Sequence, residues 1–191
     1  MIILFCLIIT LLTVILIFAS PKLSPIPYFP SNHHDIRIII KALSLRENQT
    51  IIDLGAGDGM VIFKAAQEAL INNLNTKFVA IDINPILVLI MNIRRIFHPN
   101  KKNITIIHGD MFSIDYKKFL TFNFSLPSEA LAKEGLLTLY LYISPWLLEK
   151  TLSKIKQIPG KKNIVSYFYP IKSLKPHTHT NGIHNLYTYT V

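Results

Sequence analysis

Ile51-Ile52-Asp53-Leu54-Gly55-Ala56-Gly57-Asp58-Gly59 is the stretch whose reading decides the fold. Ile51, Ile52 and Leu54 read as a buried strand, and the glycines behind them as a turn tight enough for a ligand to approach the backbone itself. Val61, Ile62, Ala65, Ala66, Ala69 and Leu70 then recur at helical spacing between Met60 and Leu70. Strand, glycine turn and helix predict the first unit of a Rossmann-like α/β fold, with a nucleotide-like ligand beyond the carboxyl end of the strand. The spacing narrows the ligand. A dinucleotide site wants G-x-G-x-x-G and a helix N-terminus aimed at a pyrophosphate. Here the glycines run G-x-G-x-G, flanked by Asp53 and Asp58. Two carboxylates repel a pyrophosphate and attract a ligand that carries an ammonium group.

Downstream, strand and helix patterns alternate as a parallel sheet requires. Phe78 to Ile81 reads as a second strand ending at Asp82, which is placed to accept hydrogen bonds from ribose hydroxyls; its bland reading is a carboxylate at the start of the helix from Pro85 to about Phe97. Asn103 to His108 reads as a third strand, with Gly109-Asp110-Met111-Phe112 at its end and His108 as a strand-end residue. Residues 113–135 are the least readable and suggest an irregular excursion. Leu136 to Ser144 reads as a fourth strand leading into Pro145-Trp146 and a helix to about Lys156, and Asn163 to Tyr169 as a fifth. Asn181-Gly182 predicts a hairpin between the last two strands. His177, His179 and His184 alternate along this hairpin without a Cys or carboxylate beside them, so no metal site is expected.

At the other end, residues 1–21 carry no charged side chain and are almost wholly apolar, long enough to cross a bilayer as a helix. No basic segment precedes the apolar run, and Phe18-Ala19-Ser20 before Pro21 is a poor cleavage site, so an uncleaved anchor is expected. Lys22, Arg37, Lys41 and Arg46 follow it, which puts the folded domain on the cytoplasmic side of a single-pass protein. Cys6, the single cysteine, lies inside the apolar run and can form no internal disulfide, which fits a reducing compartment. The net charge of +9 is read as attraction to anionic lipid, and no nucleic-acid partner is expected. Prolines 21, 25, 27 and 30 make the next stretch an extended connector, and Ile36, Ile39, Ile40 and Leu43 mark an amphipathic helix capped by Ser31 or Asn32. The expected organisation is an anchor over 1–21, connector and first helix over 22–47, and an α/β domain over 48–191.

Asp53-Leu54-Gly55-Ala56-Gly57-Asp58-Gly59 resembles the first motif of class I S-adenosylmethionine (SAM) methyltransferases. The anchor, Pro27-Tyr28-Phe29-Pro30, Asp82-Ile83-Asn84-Pro85 and Phe168-Tyr169-Pro170 together resemble a narrower group. That group comprises bacterial proteins and the mitochondrial lysine methyltransferases that modify the ATP synthase c subunit and the adenine nucleotide translocase. It usually has Glu where Asp82 stands and a Trp where Leu174 stands. Ser144-Pro145-Trp146 is similar to the D/N/S-P-P-Y/F/W motif of amino-group methyltransferases, with one proline missing.

The resemblance implies a seven-stranded class I methyltransferase fold behind an N-terminal transmembrane helix, with SAM as cofactor. Asp53, Gly55, Ala56 and Gly57 would hold its methionine part, Asp82 its ribose, and Asp110 with Met111 its adenine. Tyr28, Ser144, Pro145, Trp146 and Tyr169 are the expected acceptor pocket. The implied substrate is a protein lysine; a membrane lipid or quinone, or SAM binding without turnover, are the alternatives. No general acid or base stands out, and none is named.

Overall fold

A computed structural model describes residues 1–24, 28–116 and 137–191. The expected excursion therefore lies outside the described residues from 117 onward, as do Leu136 and the first proline of Pro27-Tyr28-Phe29-Pro30.

The domain is a seven-stranded sheet in the order β3-β2-β1-β4-β5-β7-β6. Its strands are β1 (Thr50–Leu54), β2 (Lys77–Asp82), β3 (Ile104–His108), β4 (Leu137–Leu141), β5 (Lys162–Tyr167), β6 (Thr178–Asn181) and β7 (Asn185–Thr190). Neighbours from β3 to β5 pair in parallel, while β7 runs antiparallel to both β5 and β6. The alternation of strand and helix patterns is thus realised as the expected Rossmann-like methyltransferase fold.

Period-two alternation in β1 divides the core. Ile52 and Leu54 point to one face, where Val79, Ile81, Leu139 and Leu141 meet Leu148, Leu152 and Ile155 of helix α5 (Pro145–Lys156). Ile51 points to the other, where Phe78, Ala80 and Val165 meet α2 (Ile36–Leu43), α3 (Met60–Ile71) and α4 (Pro85–Phe97). Small residues Ala65, Ala66 and Ala69 let α3 lie close on the sheet. Helix α1 (Ile2–Ala19) has no buried residue and lies against α4.

Chain order reverses between β1 and β4, since β2 and β3 lie to one side of β1 and β4 and β5 to the other. Such a switch point opens a crevice at the carboxyl ends of the strands, where α/β sheets place their ligands.

The last hairpin differs from its expected form. Asn181 pairs with Asn185, which leaves Gly182, Ile183 and His184 in a three-residue loop in place of a two-residue Asn-Gly turn. The cause is tertiary: the Asp35 carboxylate, at the start of α2, accepts hydrogen bonds from Ile183 N at 2.7 Å and His184 N at 2.8 Å. A Cβ at Gly182 would run into that carboxylate and into Ile38. The loop is shaped by what it grips rather than by its own turn preference.

Candidate active site

The glycine turn after β1 is held from behind and from the side. Gly55 N and Ala56 N both donate to Ile81 O at 2.9 Å, tying the turn to β2. Gly55, Gly57 and Gly59 all adopt left-handed φ, at 78°, 59° and 77°. At Gly57 the conformation and the space agree: a Cβ would stand 2.6 Å from Cε2 of Tyr28, whose ring lies on the turn. At Gly59 a Cβ would meet Phe63 at 2.8 Å and Met91 at 3.0 Å, so this glycine lets α3 and α4 close on each other.

Three acids surround the turn and have three different fates. Asp53 is buried at the end of β1, and no donor among the described residues reaches its carboxylate. Burial, with Asp82 and Asp58 nearby, pushes it well above the ordinary value of 3.8. Asp82 is also buried, but its Oδ2 accepts from Gly57 N and its Oδ1 from Asn84 N, each at 2.8 Å. Burial raises its pKa, and those backbone donors pull against the rise. Asp58 also lines the cavity, but its charge is already paired. Its Oδ2 is paired with Arg94 Nη1 at 2.5 Å, which ties the glycine turn to α4, and its Oδ1 accepts from Met60 N, the first residue of α3, at 3.2 Å. With the Asp58 charge paired, Asp53 and Asp82 are the carboxyl groups left to meet a ligand.

One cavity of about 930 Å³ gathers the sequence-derived candidates. Asp53, Gly55, Ala56, Gly57, Asp82, Asp110 and Met111 line it, and so do Tyr28, Ser144, Pro145, Trp146 and Tyr169. Their settings differ. Asp110 folds its own loop, accepting from Phe112 N at 2.9 Å and Ser113 Oγ at 3.0 Å. Trp146 is 75% exposed and forms rim rather than wall. Ser144 precedes α5 without spending its hydroxyl on a helix cap. Tyr28 is pushed up to about 12, first by burial and then by Asp58, so its hydroxyl stays protonated.

Sequence reasoning missed part of this wall. Phe168 and His184 line the cavity and meet edge to face, with centroids 4.3 Å apart; Phe168 also packs against Tyr142 at 6.4 Å and Tyr169 at 4.5 Å. Phe168 holds φ at 75°, an uncommon conformation for a side chain of its size and one concentrated at functional sites. Asp35 is the other omission. Besides gripping the hairpin loop, its Oδ2 accepts from Tyr167 Oη at 2.7 Å. Burial opposes its charge, but His184 N, Tyr167 Oη and Ile183 N outweigh that and hold its pKa below the ordinary value. Ser31 Oγ and Tyr140 Oη share a hydrogen bond of 2.9 Å, so the connector is fastened over the sheet end by its own polar groups. No local motif signals the hydrogen bonds of Asp35 and Ser31, because each joins residues more than a hundred positions apart.

A sheet of this order, with a left-handed glycine turn after β1 and an acid at the end of β2 bracing it, is the architecture of class I methyltransferases. A family profile described as "Methyltransferase domain" matches residues 45–157, more than half of the chain, and the chain belongs to that family. A probable ribosomal RNA small subunit methyltransferase A of Methanosphaera stadtmanae is 29% identical over 147 residues, covering 75% of this chain. The chain spans only 45% of that relative's length. Among solved structures, an RNA methyltransferase from Salinibacter ruber in complex with S-adenosyl-L-homocysteine is similar with a TM-score of 0.68 at 18% identity, over 85% of this chain and 93% of that one. A SAM-dependent methyltransferase from Thiobacillus denitrificans, also with S-adenosyl-L-homocysteine, gives 0.52 at 14% identity, over 83% and 56% of the two chains. Likeness at this level of identity is likeness of fold.

Proposed function

We propose that the protein is a membrane-anchored SAM-dependent methyltransferase that modifies a lysine side chain of another protein, with its domain on the cytoplasmic face. The observation that carries this reading is the composition of one cavity wall. Pro21, Lys22 and Ser24, directly behind the apolar helix, line the same cavity as Asp53, Gly57 and Asp82. An 18-residue helix without a charged side chain and with no buried residue supports a membrane span over residues 1–21, and the basic residues behind it support the cytoplasmic orientation. Residues 22–47 are then connector and first helix, and 48–191 the catalytic domain.

The donor set fits SAM. Asp53 offers a buried carboxylate that lacks a donor among the described residues, suited to the ammonium of the methionine part, and the left-handed turn offers a backbone surface without side chains. Asp82 keeps lone pairs for ribose hydroxyls while bracing Gly57, and the presence of Asp110 and Met111 in the same lining supports their reading as the adenine contacts. Bound there, SAM supplies an activated methyl group for in-line transfer. The chain's own contribution is alignment and exclusion of water. Tyr28, Tyr142, Phe168 and Tyr169 make an aromatic surround that desolvates an amine and so favours its neutral, nucleophilic form. Ser144 lines the same cavity with its hydroxyl not used as a helix cap, which supports its reading as the group that orients the acceptor nitrogen.

A second reading is methyl transfer to RNA. The Methanosphaera relative favours it, as does the net charge of +9, against the expectation that no nucleic acid is bound. Radiolabelled SAM added to membranes containing the full-length protein separates the readings. Label on a membrane protein, lost when lysines are acetylated beforehand, is the expected result. Label in RNA would replace it with the second reading, and label in the organic extract would point to a lipid or quinone.

A further inference from the structure

Helix α4 is apolar on two opposite faces. Leu87, Val88 and Met91 face the core. On the other side Leu89, Ile93, Ile96 and Phe97 recur at helical spacing and are 59%, 50%, 61% and 82% exposed. A helix that is apolar all round belongs in a protein core or in lipid, and a single-sided surface helix does not carry such a second stripe. Residues 85–102 contain no acidic side chain, and the stripe ends beside the exposed cations Arg95, Lys101 and Lys102. Arg94 is not part of this set, being paired with Asp58.

We infer that the outward face of α4 is a membrane seat. It lies in the interfacial zone of a bilayer that contains anionic lipid, with Leu89, Ile93, Ile96 and Phe97 at the acyl boundary and the three cations at the headgroups. Two observations select lipid over a protein occupant. First, α1 lies against α4, so α4 stands beside the span and is at the membrane surface wherever α1 enters the bilayer. Second, a face shared by two copies of this chain would bring three uncompensated cations from each copy together, which is repulsive, whereas an anionic headgroup layer neutralises them. The inference rests on reading α1 as a span, and adds a second, interfacial contact that holds the domain at a fixed orientation.

The test uses the full chain in phosphatidylcholine vesicles with and without phosphatidylserine. Cys6 is the only cysteine and lies within α1, so an environment-sensitive fluorophore on it reports the span. In a Cys6→Ser background, Phe97→Cys and Ile93→Cys report the seat, and Lys156→Cys on α5, which covers the opposite face of the sheet, is the control. The expected result is a blue shift at 93 and 97 with emission lost to spin-labelled lipids carrying the quencher near the headgroup, stronger with phosphatidylserine present. Position 156 should stay unquenched and position 6 should be quenched by deep labels. Quenching at 6 but at neither 93 nor 97 overturns the seat and leaves the span standing. Quenching at 93 and 97 without deep quenching at 6 overturns the span alone. A blue shift at 97 with no lipid quenching, together with energy transfer between labelled copies, overturns the seat in favour of a self-associating face.

Discussion

Asp82→Asn separates two roles that meet in one carboxylate. In the structure Oδ2 accepts from Gly57 N and Oδ1 from Asn84 N, both at 2.8 Å and both buried. An asparagine keeps one acceptor and turns an amide NH₂ toward the other backbone donor, so one charge-assisted bond is lost and one N–H is left facing a donor. Losing a hydrogen bond to a charged group costs about 1.5–3 kcal/mol. Relief from burying a charge returns part of this to stability, because burial already raises the Asp82 pKa. Melting of the full chain in detergent should therefore fall only modestly, by about 2–8 °C for a chain of this size. SAM affinity loses both the ribose acceptor and the braced turn, and calorimetry should show a drop of roughly ten- to a hundredfold. Asp82→Ala should behave worse in both assays, since both backbone donors lose their partner. Unchanged SAM affinity beside a lowered melting point would confine Asp82 to a structural role. No change in either would refute the bracing argument altogether.

Gly57→Val should abolish SAM binding, because φ of 59° penalises a β-branched residue and its Cβ would collide with Tyr28; equilibrium binding on a folded variant checks this. Asp53 carries a raised pKa, so its contribution to stability is present below the ordinary value of 3.8 and is lost as pH rises through its folded value. An ammonium beside it reverses that preference, so SAM should bind more tightly as pH rises through this window and release a proton, read by calorimetry in buffers of different ionisation heat. Asp35 has a lowered pKa, so its contribution is present above 3.8 and is lost as pH falls through its folded value. Asp35→Ala strands Tyr167 Oη, Ile183 N and His184 N and should cost more than about 2 kcal/mol, read as a lower melting point that loses its own acid-induced decline. Alkaline extraction of membranes should leave the full-length chain in the pellet, and its release into the supernatant would refute the span.

The parallel part of the fold was legible because its signals are local. Ile51 to Gly59 carries a strand and its turn within nine positions, and Asn84-Pro85 starts α4 with a side-chain cap on Ile86 N at 2.9 Å. Backbone sterics and hydrogen-bonding capacity act over a few residues, so composition alone selects these elements and sets the acids at strand ends. Which acid faces a ligand was not local. Asp53 and Asp58 look equivalent around the glycines, and only the arrival of Arg94 from α4 pairs the Asp58 charge, although both acids line the cavity. The hairpin loop is the same kind of case: Asn181-Gly182 has a strong turn preference of its own, yet the hydrogen bonds that Ile183 N and His184 N donate to Asp35, 148 and 149 positions away, outweigh it. Phe168 at positive φ and Tyr28 on Gly57 likewise exist only because packing over-determines them. Short-range chemistry chose the sheet, the glycine turn and the row of candidate acids; long-range packing and charge pairing decided which of those groups line the cavity with capacity to spare.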